Sequence, residues 1–137
     1  MVTYLGSEIV EIQDVATVTQ TPPTSGTQYT VLDTTENVRI IGIAAKVIWT
    51  VQPTPLEVHG VFDGKPLLWD FDNPVSNTWY YTFMSPALLL NNQSLTATDP
   101  TTTRSFLLDG RSVKVSVETT GGTVQNLFGY VLFGKMK

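Results

Sequence analysis

LEVHGVFDGKPLLWDFDNPVSNTWYYTF, residues Leu56 to Phe83, is the stretch on which the fold turns. It alternates apolar and polar residues, with Leu56, Val58, Gly60 and Phe62 on one parity and Glu57, His59 and Val61 on the other. Period-two alternation is the mark of a strand with one face buried. Asp63-Gly64 follows at once, and this pair suits the two-residue type I′ turn, whose central positions both need positive φ. Pro66 to Phe71 then reads as the return strand, Asp72-Asn73-Pro74 as a second turn, and Asn77 to Met84 as an aromatic third strand. The segment also holds the only histidine, two of the three tryptophans and four of the twelve acidic residues.

Outward from this segment, the same pattern repeats. Val38 to Val51 places Ile41, Ile43, Ala45, Val47, Trp49 and Val51 on one parity, a long strand with a bend expected at Gly42 and an end at Pro53 and Pro55. Ser7 to Gln20 is strand-like with a break in alternation at Asp14, which suggests a bulge or a bend. Thr21 to Thr27, TPPTSGT, is a loop, and Gln28 to Asp33 is a short strand. Ser105 to Leu108, Asp109-Gly110 and Ser112 to Glu118 suggest a second hairpin, with Lys114, Ser116 and Glu118 outward. Gly121-Gly122 makes a further turn before Thr123 to Phe133, which after Asn126 is apolar on both parities and so reads as buried on both faces or set against another subunit. Asn91 to Arg104 is a polar loop with a short strand at Leu95 to Thr98, and Leu88 to Leu90 fits a helical turn or a strand edge. The reading is all-β, an antiparallel β-sandwich or jelly roll of about nine or ten short strands, forming one domain over residues 1–137. An internal echo, YTVLDTTENVRI against SFLLDGRSVKV, suggests two parts built to one design.

Composition narrows the function. The chain has 137 residues, of which 42% are hydrophobic and only 15% charged, while threonine occurs 21 times. A β-branched, thinly charged surface suits sheets that pack against neighbours. Eight Lys and Arg without a cluster, on a net charge of −4, argue against nucleic acid and against an anionic membrane surface as partners. With no cysteine there is neither a thiolate nucleophile nor a disulfide frame. The first ten residues lack the basic region and apolar core of a secretory signal, so the chain reads as soluble and made in the cytoplasm.

Several side chains are candidates for chemistry. His59 is the only imidazole base and, with Asp63 or Glu57 and a loop serine, would make a hydrolase triad, although no Gly-x-Ser-x-Gly elbow is present. Asp70, Asp72 and Asn73, with Asp63 or Asp109 nearby, offer hard oxygen ligands that suit calcium, but Asp-Asn-Pro is also an ordinary turn whose side chains bond to local backbone. Asp70 and Asp72 have the spacing of a glycosidase pair in a domain with little room for a cleft. Trp69, Trp79, Tyr80 and Tyr81 beside these acids would form a sugar platform. The alternative is that Trp79, Tyr81 and Phe83 fill the core, which leaves Tyr80 as the exposed aromatic.

Tyr29 to Asp33, Val38 to Ile43 and Leu56 to Gly64 together resemble the short all-β proteins encoded by phages and by viruses of thermophilic archaea. The resemblance supplies no catalytic residues to carry over and implies a structural or host-contacting protein rather than an enzyme; no cofactor is expected. The combined expectation is a non-enzymatic interaction module that forms homo-oligomers, made in the host cytoplasm and carried into the virion. A carbohydrate- or receptor-binding module using Trp69, Tyr80, His59, Asp70, Asp72 and Asn73 is the alternative.

Overall fold

The computed structural model describes residues 3–5, 8–84, 97–98 and 108–136. Its strands are β1 (Thr3–Leu5), β2 (Glu8–Gln20), β3 (Tyr29–Thr34), β4 (Val38–Val51), β5 (Leu56–Phe62), β6 (Lys65–Phe71), β7 (Tyr80–Met84), β8 (Ala97–Thr98), β9 (Leu108–Gly110), β10 (Val113–Thr119) and β11 (Thr123–Met136). They form two sheets. The large one runs β1-β2-β11-β4-β7-β8, with β9 also on β4, and the small one runs β3-β10-β5-β6. All ladders are antiparallel except the short β7–β8 pairing. The fold is an all-β sandwich, and among the described residues no helix is long and apolar enough to cross a membrane.

The core lies between the sheets. Leu56 and Val58 of β5, Trp69 of β6 and Val113, Val115 and Val117 of β10 face Ile40, Ile43, Ala45 and Val47 of β4 and Leu127, Val131 and Phe133 of β11. The alternation read from the sequence thus fixes the inner face of the small sheet. β11 lies between β2 and β4, and its central residues are at most half-exposed on both parities, which accounts for its unbroken apolar character.

The β5–β6 hairpin closes as its sequence predicts. Phe62 is opposite Lys65, and Asp63 and Gly64 take φ of 53° and 82°. At this tip Asp63 Oδ1 accepts hydrogen bonds from the N–H groups of Arg111 (2.8 Å) and Ser112 (2.9 Å). That fastens the hairpin to the segment between β9 and β10.

Four expectations need correction. Asp109-Gly110 does not turn a hairpin: β9 pairs with β4 in the large sheet and β10 belongs to the small one, so the chain crosses between sheets there. The irregularity in β2 lies at Glu11, where the register with β11 shifts, while Asp14 sits in regular ladder opposite Phe133. In β4 the shift falls at Ile41, one residue before the expected bend, and it brings Val38 and Ile40 into the core while Ile41 leaves the core cluster. Tyr80 is not the outward aromatic. It pairs with inward-facing Ala45 and packs on the core, its ring 4.8 Å from that of Phe71. Trp79 lies on the other face instead, against Phe128 and Tyr130, with Lys46 Nζ 5.0 Å from its ring centre. The side chain of Phe83, the stretch Leu88 to Leu90 and most of the polar loop Asn91 to Arg104 lie outside the described residues.

The internal echo has a structural counterpart. Its first copy carries the chain from the small sheet to the large one, and its second carries it back. The two crossings lie side by side, so that Asp33 of one is opposite Lys114 of the other and Arg39 is opposite Asp109. The second pair is a fork between buried Arg39 and exposed Asp109, with Arg39 Nε donating to Oδ1 and Nη2 to Oδ2, each at 2.5 Å.

Candidate functional site on the outer face of the small sheet

The outward parity of β5 meets the outward parities of β6 and β10 in three cross-strand rows. Asp70, Glu57 and Glu118 form the first, Leu68, His59 and Ser116 the second, and Pro66, Val61 and Lys114 the third. The face therefore grades from acidic to apolar along a few residues of strand. Beside His59 lies an open groove of about 420 Å³, with Val61, Leu67 and Leu68 on its apolar side and Gln28, Lys114 and Ser116 on its polar side.

The first two rows place His59 against two carboxylates. Its Nε2 is 3.2 Å from Glu118 Oε1 and 3.8 Å from Glu57 Oε1. Glu57 and His59 come together because residues two apart on a strand share a face, and Glu118 joins them because it is directly opposite Glu57. Like charges facing each other across a ladder repel. Burial, opposed by the charge of His59 and reinforced by the charges of Glu118 and Asp70, holds the Glu57 carboxyl above its ordinary range. Nε2 itself is buried and has no hydrogen-bond partner, since neither carboxylate meets it with hydrogen-bond geometry.

The residues singled out from sequence fall in three places. His59 and Asp70 share the outer face just described. Trp69 is 2% exposed and Tyr80 packs inward, its hydroxyl oxygen accepting the Val75 N–H at 2.8 Å, so neither ring is presented to a sugar as a platform. Asp72 and Asn73 are exposed in the turn after β6. That turn is held by Trp49, whose Nε1–H donates to the Pro74 carbonyl at 2.9 Å and whose backbone N–H donates to Ser76 Oγ at 3.0 Å.

Asp63 and Asp109, the added oxygens considered for calcium, are engaged with the Arg111 and Ser112 amides and with Arg39 respectively. Ser116 is the serine opposite His59, but it is 3% exposed and its hydroxyl donates to Gln28 Oε1 at 3.2 Å, so it is not presented as a nucleophile. Sequence reasoning placed Glu118 and Ser116 outward without linking them to His59. The missing signal was strand pairing, because β5 and β10 are about fifty residues apart and no local pattern sets their register.

No known protein family, curated protein or solved structure matches this chain.

Proposed function

We propose that the chain is a non-enzymatic structural module that assembles with further copies of itself through the open edge of its small sheet. The observation that carries this is β6. Among the described residues it has β5 as its only ladder partner, and with its neighbour it exposes Leu68 (51%), Val61 (39%) and Leu67 (36%). An edge strand offers unpaired N–H and C=O groups to a further strand, and natural monomers blunt such edges with charge, proline or cover. Lys65 and Pro66 blunt the start of β6 and Asp70 carries a charge near its end, while the stretch between them, Leu67 to Trp69, has neither charge nor proline. The opposite edge of the sheet differs, since β3 lies against β2 and β11 of the large sheet.

Two copies meeting β6 to β6 about a two-fold axis would join their small sheets into one continuous sheet and cover the apolar residues from both sides. The resemblance of residues 29 to 64 to small viral all-β proteins favours a virus particle as the setting. The test is light scattering coupled to size exclusion over a range of concentrations. The native chain is expected to elute as a dimer or larger. Leu68→Lys should elute as a monomer with an unchanged circular dichroism spectrum, since a half-exposed site tolerates the change within about 0.5 kcal/mol. A native chain that stays monomeric at high concentration overturns the proposal.

A further inference from the structure

Glu57, His59 and Glu118 have the composition and spacing of a divalent-metal site, and we infer that they bind a zinc-class ion, with Nε2 of His59 and one oxygen from each glutamate as ligands. One ligand atom from each lies within 4.8 Å of the other two. Ligands at zinc distances of about 2.0–2.1 Å in a tetrahedron stand roughly 3.3 Å apart. The His59 Nε2 separations of 3.2 Å and 3.8 Å lie close to that edge length, so small rotamer adjustments bring the atoms onto an ion.

A second observation is independent of this spacing. His59 Nε2 is a buried polar atom whose close contacts with Glu118 and Glu57 are not aligned as hydrogen bonds, and such an atom is destabilising unless something satisfies it fully. A metal ion does so by accepting the lone pair of the neutral ring, with the ring proton on Nδ1. It also relieves the repulsion built into the first row, where Glu57 is opposed by Glu118 on one side and Asp70 on the other. An imidazole with two carboxylates suits zinc and its first-row neighbours better than calcium or magnesium, which favour all-oxygen shells. Three protein ligands on an outward face leave a fourth position open toward solvent, beside the apolar groove.

The test uses the full, tag-free chain after treatment with a chelator. Because His59 is the only histidine, its imidazole nitrogens give an unambiguous signal in nitrogen-15 NMR. Adding one equivalent of zinc chloride is expected to shift the Nε2 resonance and to raise the melting midpoint. Titration calorimetry should give one site per chain, with affinity weakened at least tenfold in Glu118→Gln and in Glu57→Gln. Both variants keep the side-chain volume, and circular dichroism checks that they fold. Calcium and magnesium chloride should leave the resonance in place. An unmoved Nε2 resonance under zinc, or zinc affinity unchanged in both variants, overturns the site.

Discussion

Asp63 shows how much one side chain at a turn can organise. It adopts the positive φ that the type I′ turn requires, and its carboxylate also accepts two backbone N–H groups from the segment entering β10. Those two hydrogen bonds, aided by nearby Arg111 and Lys65, hold its carboxyl below the ordinary value of 3.8. A group whose pKa is depressed by folding contributes stability that is present above its unfolded value and is lost as pH falls through the folded one. Asp63→Asn keeps the turn preference and one acceptor oxygen but removes the charge. The native chain should therefore melt above this variant at neutral pH, and the difference should close as pH falls below about 3.8 toward the lowered value. Melting curves at a series of pH values check this, and a gap that persists unchanged in strong acid would contradict it.

The turn that joins β10 to β11 makes a sharper demand than its sequence announces. Gly121 and Gly122 both have positive φ, at 72° and 67°, so either replacement is strained. Their surroundings differ: a Cβ on Gly121 meets nothing within 4 Å, whereas one on Gly122 would stand 2.5 Å from the Val51 carbonyl oxygen and 2.7 Å from Gln52 backbone. Gly121→Ala should cost about 1–2 kcal/mol for the left-handed conformation alone. Gly122→Ala should cost about 1–3 kcal/mol more, because backbone must move to admit the methyl group. Urea denaturation of the two variants measures the difference, and equal midpoints would show that the crowding at Gly122 is relieved at no cost.

The elements of the fold were legible in sequence for reasons that are local. The inward Leu56, Val58 and Phe62, the Asp63-Gly64 turn and the valines of β10 follow from period-two patterning and turn chemistry. Where legibility failed, the deciding interaction came from a remote strand. Asp109-Gly110 has the local chemistry of a hairpin, yet the fork between Asp109 and Arg39 and the pairing of β9 with β4 carry it to the other sheet. Tyr80 faces the core because it pairs with Ala45, a register that nothing in residues 77 to 84 specifies. The site divides in the same way: Glu57 and His59 share a face visibly, and Glu118 joins them only once β10 is placed beside β5.

At the scale of the whole molecule, the two edges of the small sheet differ. One edge is covered by the large sheet and the other is left to β6. If copies associate there, folding and association are linked, and the melting midpoint becomes dependent on concentration. A tenfold increase in protein should raise it by about 2–3 °C for a dimeric domain of this size. Leu68→Lys should remove the dependence, and a midpoint independent of concentration in the native chain would count against assembly.

The side-by-side crossings bear on what kind of assembly is open to such a molecule. The chain laces from one sheet to the other through paired corners, so that β3 and β10 of the small sheet are each tethered on both sides to strands of the large one. For two copies to trade either of these strands, both of its tethers would have to be drawn out and rethreaded, past the fork between Arg39 and Asp109. The lacing thus opposes exchange of either strand. If copies join at β6 as proposed, they do so by laying finished surfaces together and not by trading laced strands.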